Sequence, residues 1–120
     1  MHELSVAQGI LDLVRQHVPA GRTSQVRRVE LRLGRMAGVM PESLSFCFEA
    51  LVAGSPLAQA RLAIERVPVR GTCRECAAAF EIPEPVFLCP ACGSGRVCMT
   101  SGDELQVVQI ELADGRLEAS

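Results

Sequence analysis

The stretch CRECAAAFEIPEPVFLCPAC, Cys73 to Cys92, decides how the rest of the chain is read. It holds two Cys-x-x-Cys pairs, Cys73/Cys76 and Cys89/Cys92, separated by twelve residues. Each pair predicts a tight knuckle with both sulfurs facing one ion, and Phe80 to Leu88 predicts a short hairpin that brings the knuckles together. Pro90 and Gly93 supply turn geometry. Four thiolates in a tetrahedron suit Zn²⁺, and a closed shell marks a structural rather than a catalytic site. The segment is too poor in apolar residues to fold alone, so metal binding, worth on the order of 10–16 kcal/mol in small zinc modules, supplies its stability. A redox pair normally opens a helix after a strand, and the one good helix start, Pro41, is far from both pairs. Knuckle spacing also favours zinc over an iron–sulfur cluster.

Outside this stretch the pattern changes. Towards the N-terminus, Leu4, Ala7, Ile10, Leu11, Val14 and Val18 recur at helical spacing from about residue 3, and Pro19, Ala20 and Gly21 end that helix. Val26 to Leu33 alternates, with Val29, Leu31 and Leu33 on one face and Arg28, Glu30 and Arg32 on the other, which predicts a strand. Gly34 and Gly38 break it. Pro41 opens a second helix with Leu44, Phe48 and Leu51 as its apolar stripe, and Gly54 stops it. Arg61 to Val67 predicts a second strand, with Leu62 and Ile64 facing inward. Strand, helix, strand at this length implies a crossover between parallel strands.

Beyond the cysteines, Leu105 to Leu112 predicts a third strand, and the sheet it needs lies before residue 70. The expected fold is therefore α/β (α+β), with two helices on a three-stranded mixed sheet and an inserted small zinc ribbon. The expected division is residues 1–69 together with 100–120 as one domain and 70–99 as the other. Ala113 to Ser120 reads as a short polar tail.

Composition narrows the function. Twelve basic and fourteen acidic residues give a net charge of −2, unlike the cationic footprint of a duplex nucleic-acid binder. Arg70, Arg74 and Arg96 in the ribbon are balanced by Glu75, Glu81 and Glu84. No apolar run reaches the ~20 residues of a membrane span, and the N-terminus has no signal-peptide pattern. These features predict a cytoplasmic protein, in which cysteines serve metal or redox chemistry rather than disulfides. Cys47 falls on the apolar side of the second helix as a core residue, and Cys98 reads as a spare thiol just past the ribbon. Glu3 with His2, or Glu42 with Glu49, can be paired on paper for acid–base catalysis. Neither pair has an orienting partner or a predicted pocket, so the chain reads as a non-enzyme.

The first residues offer a second metal site. The Met1 amine, the His2 backbone nitrogen and His2 Nδ1 can close a five- and a six-membered chelate ring on one ion. The backbone nitrogen must lose its proton, which Ni²⁺ and Cu²⁺ promote, and square-planar nitrogen coordination favours the same two metals. A fourth donor is needed and Glu3 is nearest, through backbone or carboxylate. Imidazoles and α-amines titrate in the neutral range, so protons compete with such a metal. His17 reads as an exposed residue near a helix C-terminus.

Several features now combine: Met1-His2-Glu3-Leu4-Ser5, the Gly34–Gly38 turn before Pro41, Ile64-Glu65-Arg66-Val67-Pro68 before the first cysteine, the two cysteine pairs, and Ser101-Gly102-Asp103-Glu104-Leu105 after them. From Met1 to about Leu112 the chain resembles the HypA/HybF family, the nickel metallochaperones of nickel–iron hydrogenase maturation. The resemblance implies nickel cargo on the Met1 amine, His2 and the Glu3 backbone, and structural zinc on Cys73, Cys76, Cys89 and Cys92. It implies work with the GTPase HypB and delivery to the hydrogenase large subunit, with urease maturation an additional client in some relatives. Some members flank the cysteine pairs with histidines; this ribbon has none. The oligomeric state stays open, a homodimer included. The alternative is a zinc-ribbon module that binds protein or nucleic acid.

Overall fold

The computed structural model of the chain describes residues 2–118. Helix α1 spans Glu3–His17 and a 3₁₀ turn follows at Ala20–Gln25. Strand β1 (Val26–Gly34) leads through helix α2 (Pro41–Val52) to strand β2 (Arg61–Val67). Three short strands come next, β3 (Arg70–Cys73), β4 (Ala79–Glu81) and β5 (Val97–Ser101), then β6 (Leu105–Leu112) and β7 (Gly115–Glu118). They form two sheets, one ordered β2-β1-β6-β7 and one ordered β4-β3-β5.

The first sheet is mixed, as the sequence predicts. β1 lies at its centre, parallel to β2 and antiparallel to β6. Its Val29, Leu31 and Leu33 are buried, and both helices turn their apolar faces into the same cluster, with Phe48 and Leu44 fully enclosed. Alternation leaves Arg28, Glu30 and Arg32 on the opposite face. There Arg28 pairs with Glu111 at 3.3 Å, Arg32 with Glu65 at 3.7 Å, and Gln109 donates to Glu30. One face is thus covered by helices and the other is polar.

Four details differ from expectation. The sheet has a fourth strand, because Asp114-Gly115 turns the expected polar tail back into β7, where Leu117 packs on the core. In α1 the buried stripe runs through Val6 rather than Leu4, which is 47% exposed. A 3₁₀ turn fills the link to β1. Finally, Phe80 to Leu88 does not form a hairpin. Its Pro83 and Pro85 have no N–H to give a ladder, and β4 pairs instead with β3 across the first cysteine knuckle.

Two crossings, at residues 68–69 and 102–104, join the sheets. At this join Gly34 meets Gly102 backbone to backbone. A Cβ on Gly34 would lie 2.1 Å from the Gly102 carbonyl oxygen. Gly102 itself has φ +118°, a conformation that suits glycine. The Met36 N–H donates to the Gly102 carbonyl at 2.7 Å and the Gly34 N–H to the Glu104 carbonyl at 2.7 Å. The Ser101 hydroxyl donates to the Pro68 carbonyl at 2.9 Å. The molecule is long, 56 × 25 × 17 Å, with a radius of gyration of 17.6 Å, against about 14 Å for one compact body of this length.

Candidate metal centre

The two knuckles are built alike. In the first, the Ala77 N–H donates to the Cys73 carbonyl at 3.0 Å and the Cys73 N–H to the Ala78 carbonyl at 2.9 Å. In the second, the Gly93 N–H donates to the Cys89 carbonyl at 2.8 Å and the Cys89 N–H to the Ser94 carbonyl at 2.9 Å. The turn needs a left-handed residue just after its second cysteine. Gly93 supplies it at φ +77°, and Ala77 adopts it at φ +64° despite its Cβ.

This turn throws four sulfurs together. All lie within 4.8 Å of one another. Cys73 Sγ is 3.6 Å from Cys92 Sγ, and Cys76 Sγ is 3.6 Å from Cys89 Sγ. A tetrahedron with metal–sulfur bonds of about 2.3 Å has edges of about 3.8 Å, so the cluster fits a four-thiolate ion in size as well as in donor type. Cys73 and Cys89, the first of each pair, are buried, while Cys76 and Cys92 are exposed.

Their acidities diverge. Backbone N–H donors, chiefly at Cys76 and also at Glu75, outweigh burial and bring Cys73 down to about 7. Burial opposes ionisation of Cys89, but the N–H groups of Cys92 and Ala91 and the neighbouring sulfurs lower it. The N–H at Ala78 favours a Cys76 thiolate, yet Cys89 and burial raise it. The N–H at Ser94 likewise favours a Cys92 thiolate, yet Cys73, burial and the other two sulfurs push it up to about 12. Within each close pair the proton is held more firmly by one member, Cys92 against Cys73 and Cys76 against Cys89. A divalent ion that replaces these protons resolves the repulsion.

The N-terminal residues are arranged differently. Met1 lies outside the described residues. His2 is exposed and stands just before α1, where its carbonyl accepts the Val6 N–H at 3.1 Å and its side chain makes no cap. Glu3 is half-buried, and its carboxylate accepts the Met40 N–H at 3.4 Å at the start of α2. Among the described residues, the four cysteines are the one cluster of three or more His, Cys, Asp or Glu side chains able to share an ion. Cys47 packs against the core, Cys98 is exposed outside the cluster, and His17 bonds the Leu13 carbonyl at 2.9 Å from an exposed position.

Sequence reasoning missed the left-handed Ala77 and the Gly34–Gly102 contact. The second had a signal, since a glycine stands at the end of each segment that meets there. The first had one only by analogy with Gly93.

Known proteins carry the same plan. Over residues 1–112 the chain matches the family described as hydrogenase/urease nickel incorporation, metallochaperone, HypA. The hydrogenase maturation factor HypA of Streptomyces avermitilis is 47% identical, over 99% of this chain and 92% of the relative. That of Azotobacter chroococcum is 44% identical, over 93% and 99%. The solution structure of the nickel metallochaperone HypA from Helicobacter pylori shares the fold at a TM-score of 0.63 and 24% identity, covering 93% of this chain and 97% of that one. The chain belongs to the HypA family, the nickel metallochaperones of hydrogenase maturation, a family of metal carriers and not of enzymes.

Proposed function

We propose that the chain carries Ni²⁺ at its N-terminus and delivers it to the large subunit of nickel–iron hydrogenase, working with the GTPase HypB in the cytoplasm. The Met1 amine, the backbone nitrogen and Nδ1 of His2, and the Glu3 backbone are the nickel donors. Cys73, Cys76, Cys89 and Cys92 hold Zn²⁺. Residues 1–69 with 100–120 form the nickel-binding domain, and 70–99 form a rigid zinc platform for docking to the client.

The observation that carries this reading is the position of His2. It is exposed, outside the core, and enters the helix only through its carbonyl. The first N–H groups of a helix have no intrahelical partner, so deprotonating the His2 amide breaks no helical hydrogen bond. The Met1 amine, the His2 amidate and the His2 imidazole take three positions around Ni²⁺ and Glu3 supplies the remaining donor, and an amidate anion is favoured at the positive end of a helix. A shallow site of this kind can also let its cargo go. Micromolar affinity, about −8 kcal/mol, suits that task.

The test is a nickel titration of tag-free, zinc-loaded protein beside the same protein with one residue added before Met1. One-to-one binding with a square-planar spectrum, lost on extension and in His2→Ala, is expected. Equal binding by the extended form would move nickel away from the N-terminus.

A further inference from the structure

A crevice of about 280 Å³ lies where the two sheets meet, lined by Arg35, Met36, Arg66, Ile82, Pro83 and Glu84 among others. It opens at the carboxyl ends of the parallel strands β1 and β2, the position at which open α/β sheets take their ligands. Arg66 is the anomaly. In β2 it continues the inward file of Leu62 and Ile64, and it stands beside buried Leu33 of β1. A hydrophobic residue would serve the core there. Instead a guanidinium is present, and its Nη1 is buried with no hydrogen-bond partner. Leaving a charged donor unsatisfied is costly, and an anion is what relieves it. Among the described residues neither Arg35 nor Arg66 forms an ion pair. Neither Glu84, which also lines the crevice, nor Glu81, which lines the adjoining one with the same two arginines, forms an ion pair with them.

We infer that this crevice binds a small free carboxylate, gripped by Arg66 with Arg35 as the second cation. The planar guanidinium fork matches a carboxylate through two parallel N–H bonds. Met36, Ile82 and Pro83 offer apolar walls for a short hydrocarbon body, which inorganic phosphate lacks. Glu84 sets the limit on charge, because it repels a dianion at the mouth more than a single carboxylate. Both sheets contribute to the walls, so an occupied crevice ties the cysteine knuckles to the sheet that carries the N-terminus. This site is separate from either metal and stands or falls independently of the nickel assignment.

The experiment uses the zinc-loaded full chain, ¹⁵N-labelled, titrated with butyrate, a monocarboxylate, while the arginine Nε–Hε resonances are followed. Saturable shifts of Arg66 and Arg35 are expected, with a Kd of about 1 mM or tighter. Arg66→Gln and Arg35→Gln should each weaken binding about tenfold. Glu84→Gln should tighten it severalfold, a gain that a merely structural role does not give. If Arg66→Gln fails to fold, Arg35→Gln and Glu84→Gln carry the test. Absence of saturation, binding in both arginine variants equal to that of the unaltered chain, equal binding of inorganic phosphate, or binding of a capped acidic peptide without binding of butyrate would each overturn the proposal.

Discussion

Around the four-stranded sheet, apolar side chains from both helices and from β1 and β6 meet in one buried cluster. Between Arg70 and Ser101 the buried apolar residues are Cys73, Ile82 and Cys89, two of them sulfur donors. The first region has the makings of an ordinary hydrophobic core. The second has almost none, and its order depends on what the four sulfurs hold. Under the proposed assignment the contrast also separates two kinds of metal site. Four converging side chains close around an ion and keep it. A chain end at a helix start offers mainly backbone nitrogens and leaves its ligand open to solvent.

The sharpest way to break this contrast is to remove one sulfur. Cys73→Ser or Cys92→Ser should release the zinc and forfeit stabilisation on the order of 10–16 kcal/mol. Hydrogen exchange should then show residues 70–101 unprotected and β1 and β6 still protected. Persistent protection in the cysteine region would mean that it has a core of its own. Acidification should act on the same region, because each sulfur must shed its proton to bind metal.

The reciprocal change is Phe48→Ala. Phe48 is fully buried between α2 and the sheet, and its truncation should cost about 3–5 kcal/mol. The thermal midpoint should fall while zinc content stays at one per chain. Gly34→Ala attacks the join itself. With no room for a Cβ against the Gly102 backbone, the two strands must part, at about 1–3 kcal/mol. Cross-sheet nuclear Overhauser contacts between Met36 and Gly102 should weaken, with both sheets retained. The smallest effect is a gain. Ala77→Gly relieves the left-handed strain, less the freedom glycine adds to the unfolded chain, and should stabilise the cysteine knuckles by about 0.5–1 kcal/mol. Competition with a zinc chelator reads this out as tighter retention.

The two regions were also unequally legible. Periodicity located α1, α2, β2 and β6, because each has one apolar face and clear stop residues. The cysteine spacing located the sulfur cluster without any help from periodicity. The pairing inside the cysteine region was less readable. Pro83 and Pro85 exclude a hairpin over Phe80 to Leu88, but nothing local says that β4 will pair with β3 instead. β7 was missed although Asp114-Gly115 is a recognised turn dipeptide, since the three strand residues after it, Arg116, Leu117 and Glu118, are too few to show a pattern. Leu4 was placed on the buried stripe and Val6 was left out of it because the helical stripe is broad enough to fit either. Arg66 breaks the inward pattern of β2, and such breaks mark function more often than folding.

The central claim is that nickel and zinc are held by different regions through different atoms. The most direct test is nickel-edge X-ray absorption on protein loaded with one zinc and one nickel. The account predicts a nickel shell of nitrogen and oxygen alone, unchanged in Cys98→Ser and lost in His2→Ala. Sulfur in the nickel shell would contradict it and place the cargo on the cysteines.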